Sequence, residues 1–310
     1  MKQKTLKTIN VIIMLLIAAN FSYAQKKQLQ APDLANVKYG EHERHVMDVW
    51  FANKSKTTPL AIYIHGGGFM AGSKEKISSH ELAQLLEAGI SVASINYRYK
   101  SIAPLPAAHN DAKQALQFIR SKAEQWPINK DKVAIWGGSA GAQICMWLAF
   151  SDEMANAEST NPIERESTRV TCVATRGGQT TMESDFWLEH IRKYDSGSDT
   201  AFTGNSRLRT FGVETLEEAN EIAKSISALS LISADDPPIF MQYSMPPNGA
   251  APSKDNLKKL KGWIVHHVTF GINLKEKMDE LNVEAHLQYP GSEAKYKTFV
   301  KFFTDKLLEE

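Results

Sequence analysis

Residues 133–147 read VAIWGGSAGAQICMW. An apolar, partly β-branched run stops at two glycines, a serine follows, and the next dozen residues are apolar nearly all round. The first part predicts a strand buried on both faces, and the last a helix buried beneath neighbours rather than an amphipathic surface helix. Gly137-Gly138-Ser139-Ala140-Gly141 fits G-x-S-x-G in the strand–turn–helix setting that gives that pattern meaning. Such a turn needs small residues beside Ser139. It would place the hydroxyl above the sheet at a helix N-terminus, where the dipole favours developing negative charge. The same residues also fit a serine N-cap after a glycine turn, so a second signal has to decide.

That signal is HGGGF, residues 65–69, directly after the apolar run 60–64. A structural turn rarely needs three consecutive glycines, whose ordering costs entropy. A loop that brings main-chain N–H groups up to an oxyanion does need them. Outward from these motifs, strand and helix patterns alternate. KYGEHERHVMDVWFA (38–52) reads as an edge strand or hairpin with His42 and His45 on its surface. Leu82, Leu85 and Leu86 form a helical face, and ISVASINYRY (90–99) a strand. Ala112, Ala115, Leu116, Ile119 and Ala123 form a second helical face. VTCVAT (170–175), PIFMQYS (238–244) and VEAHLQYP (283–290) are further strands. Helical faces at Leu274, Met278, Leu281 and at Phe299, Val300, Phe303, Leu307 separate or follow them. This alternation predicts an α/β fold, a mostly parallel sheet with right-handed crossovers and helices on both faces, and a site at the carboxyl ends of the strands.

The 310 residues, 43% hydrophobic and 23% charged, suffice for one large globular domain. A net charge of +1, with both signs mixed throughout, gives no footprint for nucleic acid or an anionic membrane. Lys2, Lys4 and Lys7, the apolar run 9–19, and Ser22-Tyr23-Ala24 predict a signal peptide over 1–24, cleaved before Gln25. The apolar run is shorter than the roughly 20 residues of a spanning helix. The mature chain, 25–310, is therefore expected in the periplasm or outside the cell, with no membrane attachment. Cys145 and Cys172 lie in apolar runs and read as buried free thiols rather than a disulfide.

With HGGGFMAGSK, NYRYKSIAPLPAAHNDAKQAL, GGSAGA and LNVEAHLQYPG in hand, the chain resembles the α/β-hydrolase superfamily. The likeness is to its HGGG-bearing carboxylesterases of the hormone-sensitive lipase and feruloyl or acetylxylan esterase type. The resemblance implies an eight-stranded sheet and a small cap insertion at about 178–235. It further implies Ser139 as nucleophile and an oxyanion hole from the N–H groups of Gly67, Gly68 and Ala140. His65 would shape the glycine loop, Asp111 would be structural, and no cofactor is called for. It departs in two places: the aspartate of H-G-x-x-D after the seventh strand and the histidine of Y-P-G-x-x-H after the eighth are both missing.

Of nine histidines, His266 and His267 remain as the base, with His267 placed first. They end a long insertion after the seventh strand, about 10 Å from the elbow strand at about 4.8 Å per neighbour, a gap that a folded-over loop and an imidazole can cross. Asp255 or Glu293 is the candidate orienting acid. The adjacent histidines do not have metal-ligand spacing with any acid or cysteine. Trp187, with Phe186, would line a wall for an acyl or sugar ring, or pin the cap. The expected partner is a small-molecule or polysaccharide ester, such as acetylated or feruloylated plant cell-wall material. The competing reading is a protein that has lost its base and binds sugars or esters without turning them over.

Overall fold

Hydrophobic residues that are continuous rather than alternating need cover on both faces, and the sheet receives it. The computed structural model describes residues 29–191, 204–253 and 255–308; the expected signal peptide lies outside them. The strands are β1 (Leu34–Lys38), β2 (Val46–Trp50), β3 (Thr58–Ile64), β4 (Ser91–Ile95), β5 (Ile128–Gly138), β6 (Cys172–Arg176), β7 (Ile239–Gln242) and β8 (Ala285–Gln288). They form one sheet in the order β1-β2-β4-β3-β5-β6-β7-β8. β2 pairs antiparallel with β1 and β4, and every later pairing is parallel. Ile62 lies opposite Ala93 and Ile135, so the middle of the sheet is a row of side chains with no access to water.

Helices of eight residues or more are α1 (Ser79–Glu87), α2 (Ala107–Ser121), α3 (Ala140–Phe150), α4 (Gly204–Phe211), α5 (Leu216–Ser225), α6 (Leu257–Val265), α7 (Thr269–Glu280) and α8 (Phe299–Leu308). One core, with Ile62, Ile135, Ile144 and Phe270, lies on the sheet face under α2, α3 and α7. The other, with Ala61, Trp136, Phe302 and Phe303, lies under α1 and α8. Every residue of α3 is buried, as its all-round apolar sequence requires. Truncating one of its large side chains costs roughly 2–5 kcal/mol. Cys145 and Cys172 belong to opposite cores and both thiols are free.

The insertion between β6 and β7 carries α4 and α5, the latter closed by a Thr215–Glu218 capping box. Two expectations need correction. His45 is not a surface residue: it is 7% exposed and faces Asp111 at 3.2 Å, because the hairpin folds over the start of α2. The segment before His266 is not a simple loop but contains α6, capped by the Asn256 side chain accepting from the Lys259 N–H. Among the described residues, no helix is long and apolar enough to cross a membrane.

Candidate active site

The elbow at Ser139 is fixed by close main-chain approach. A Cβ on Gly141 would stand 2.1 Å from the Ile64 carbonyl oxygen, and one on Gly137 2.5 Å from the same atom. Only glycine lets α3 start this close to the end of β3. Ser139 itself sits at φ 53°, ψ −121°, a conformation that costs a non-glycine residue on the order of 1–3 kcal/mol and that clusters at functional sites. Its N–H donates to the Arg176 carbonyl at 2.9 Å, and its carbonyl accepts from the Gln143 N–H at 3.0 Å. The side chain is thereby lifted off the sheet edge.

Gly67 and Gly68 have φ of 121° and 61°, and both are exposed beside the elbow. Among the described residues, the N–H groups of Gly67, Gly68 and Ala140 have no main-chain acceptor. Space beyond Gly68 is open. His65 lies underneath and is fully buried. It stacks on Tyr97 at 4.2 Å, donates from Nδ1 to the Gly66 carbonyl at 2.8 Å, and meets the Arg44 guanidinium at Nε2. Burial holds its pKa down to about 4, so it stays neutral and braces the loop. Asp111, 1% exposed, takes a bidentate contact from Arg98 and ties the loop after β4 to α2.

The two adjacent histidines part company at the end of α6. His266 Nε2 lies 2.9 Å from Ser139 Oγ. Its ring rests on Gly177, where a Cβ would stand 3.3 Å from Cδ2. Burial lowers its pKa below the ordinary 6.5, opposed by a hydrogen bond to the main chain at Gly262. With the ring neutral and its proton on Nδ1, Nε2 accepts from the serine hydroxyl it faces. Gln179 holds the helix end by donating to the Val265 carbonyl. His267 turns the other way. It is 1% exposed, packs edge-on against Trp263 at 4.5 Å, and accepts at Nδ1 from the Thr269 N–H.

The remaining site expectations fare differently. Asp255 is exposed and accepts from Ser253 Oγ at 2.9 Å; Glu293 is exposed in the turn after β8. Among the described residues, no carboxylate contacts His266. The structure corrects the substrate-wall role for Trp187. The indole is 5% exposed, tilts against Phe270 at 4.7 Å and donates to the Thr181 carbonyl at 3.1 Å, so it pins the root of the insertion. Sequence reasoning missed the contributions of α6, Gly177 and the Gly262 carbonyl. The i, i+3, i+4, i+7 spacing of Leu260, Trp263, Ile264 and His267 could have revealed the helix and put His267 on its buried side.

The BD-FAE family matches residues 47–246. The chain is 38% identical over 98 residues to probable carboxylesterase 2 of Arabidopsis thaliana, covering 30% of this chain and 31% of that protein. It is 29% identical over 120 residues to the probable carboxylic ester hydrolase LipM of Mycobacterium tuberculosis, covering 37% and 28%. The matches thus span about a third of these curated relatives. Among solved structures, the truncated form of a carbohydrate esterase from gut microbiota superposes with a TM-score of 0.69. It is 22% identical, and the match covers 90% of this chain and all of that one, which shows the shared fold.

Proposed function

Since this chain belongs to the BD-FAE family, we propose that it is a serine carboxylic-ester hydrolase with Ser139 as nucleophile and His266 as general base. The observation that carries this is the 2.9 Å contact between His266 Nε2 and Ser139 Oγ at an elbow flanked by open N–H groups. As Ser139 Oγ attacks the ester carbonyl carbon, its proton passes to His266 Nε2. The negative charge on the former carbonyl oxygen is held by the N–H groups of Gly67, Gly68 and Ala140. Collapse expels the alcohol, which takes the proton back from His266. Water then repeats the sequence on the acyl-serine and releases the acid.

No carboxylate is part of this reading. The main-chain hydrogen bond at Gly262 favours the charged ring, but a neutral dipole stabilises the transient imidazolium less than a charged partner would. The close serine–imidazole contact favours turnover over binding without turnover. The substrate class is an acylated saccharide, and the mature chain 25–310 is exported. The support is the carbohydrate-esterase fold relative and the amino-terminal pattern.

Turnover of p-nitrophenyl acetate by Ser139→Ala, His266→Ala and His267→Asn tests the assignment. The first two are expected to lose at least about 10³-fold in kcat, with the third close to wild type if its melting temperature holds. Equal, negligible rates for wild type and all three variants overturn it.

A further inference from the structure

Four consecutive residues after β6 grip the connection that carries His266. Gly177 lies under the imidazole, where a Cβ would stand 3.3 Å from Cδ2. The Gly178 carbonyl accepts from the Tyr243 hydroxyl at 2.7 Å. The Gln179 side-chain amide donates to the carbonyl of Val265, the residue directly before His266, and to the Gly177 carbonyl at 3.3 Å. The Thr180 hydroxyl donates at 3.0 Å to the carbonyl of Phe270, in the first turn of α7. Gln179 and Thr180 are both buried, so these bonds are made away from competing water. The grip is also referenced to the nucleophile. A Cβ on Gly178 would stand 2.9 Å from the Ala142 Cβ and 3.0 Å from the Met146 Cε, so this segment packs directly on α3, the helix that Ser139 caps. Gln179 thus joins two carbonyls, one beneath the base and one just before it, to the element that carries the serine. In a serine–histidine–acid arrangement a carboxylate bonded to Nδ1 fixes the imidazole. Among the described residues no carboxylate contacts His266, and its ring is held through the main chain on either side of it.

We propose that Gln179 is the positioning residue of the base: its two hydrogen bonds hold the His266 imidazole at the Ser139 hydroxyl, the work a carboxylate does in an acid-containing triad. This rests on the ester-hydrolase reading for the role of His266. It differs from a general structural role in acting on one side of the histidine pair. The Thr180–Phe270 bond is also buried, but it anchors α7 beyond both histidines, whereas the Gln179–Val265 bond acts one peptide away from His266. A misplacement of about 1 Å at a reacting group costs on the order of 100-fold in rate.

The experiment compares Gln179→Met, Gln179→Ala and Thr180→Val in the full-length protein. Gln179→Met keeps most of the buried volume and removes the donors, so it tests the site even if Gln179→Ala fails to fold. It should lower kcat on p-nitrophenyl acetate by about 30- to 100-fold with KM within about twofold, because the groups that meet the ester are untouched. Thr180→Val loses a comparable buried bond; it should lower the melting temperature by a similar amount and leave kcat within about threefold of wild type. A second readout needs no turnover. The NMR titration of the His266 ring, assigned against His266→Ala, should move up towards the ordinary 6.5 in Gln179→Met, since a loosened ring regains water, and stay in place in Thr180→Val. A kcat in Gln179→Met within about threefold of wild type, an equal kcat loss in Thr180→Val, or an unmoved His266 titration each overturn the proposal. Wild-type p-nitrophenyl acetate turnover reports separately on the ester-hydrolase reading: without it that reading fails, and the His266 titration still decides whether Gln179 holds the ring.

Discussion

Asp255→Asn and Glu293→Gln should leave kcat within about twofold of wild type, singly and together. In a serine–histidine–acid arrangement, neutralising the acid lowers kcat by about 10⁴-fold, because the imidazole loses its tautomer and its imidazolium loses a charged neighbour. Neither carboxylate supplies that here: Asp255 is exposed and bonded to Ser253, Glu293 is exposed in a turn, and the His266 pKa is set by burial and the main chain at Gly262 with no contribution from either acid. Two exposed charges remote from the ring act on it through water, where each is worth well under about 1 kcal/mol and is screened by salt. The assay is the initial rate on p-nitrophenyl acetate across pH 5–9, with active-site titration to normalise for folded enzyme. A fall of about 100-fold or more in either variant would refute the reasoning, since it would mean that a carboxylate reaches His266 during the reaction.

Gly141→Ala sets a Cβ 2.1 Å from the Ile64 oxygen, about 1.2 Å short of an ordinary C···O contact. It should destabilise the fold measurably in urea and lower kcat by about 100-fold through displacement of Ser139. The pH profile of kcat/KM should rise with an apparent pKa below 6.5, because burial disfavours the His266 imidazolium and the base works only when neutral; an inflection above 7 would contradict this. His65 and His109 are both held to about 4 by burial. The unfolded chain therefore takes up protons first as pH falls from about 6.5 towards 4. Stability present above pH 6.5 should be lost across that window, on the order of 2–3 kcal/mol for each ring, as urea melts at pH 7.5 and 4.5 would show. Lys74→Met strands the Asp48 carboxylate, 5% exposed and now paired at 2.6 Å, and should cost about 3 kcal/mol with no direct effect on the reaction.

The sheet and its helices were legible because continuous apolar runs such as 60–64 and 133–136 have one structural use in an alternating chain, and the structure uses them so. The elbow and glycine loop were legible for a related reason, since Gly66, Gly67, Gly137 and Gly141 stand where main chain meets main chain, while Gly68 holds a positive φ. The base was half legible. Both histidines lie just past α6, where the chain leaves the helix at His266 with φ −118° and ψ 23°, and that exit, which no reading of a loop supplies, sends His266 to Ser139 and His267 under Trp263. The surroundings of His266 were illegible: a main-chain hydrogen bond has no residue-type signature, and the two acids that the sequence offered, Asp255 and Glu293, are both exposed. For Trp187 the sequence left two roles open, a wall or a pin for the cap, and contact with the ring of Phe270 decides for the pin.

The seat of Ser139 is built from peptide atoms: the Ile64 oxygen against Gly137 and Gly141, and the Arg176 oxygen holding the serine amide. Side chains are exchangeable in a way that peptide groups are not. The reacting oxygen is thus anchored by the part of the polymer that substitution cannot easily rewrite. The rim formed by the insertion and the exposed loops remains free to change, so new substrates can be acquired without relocating the chemistry.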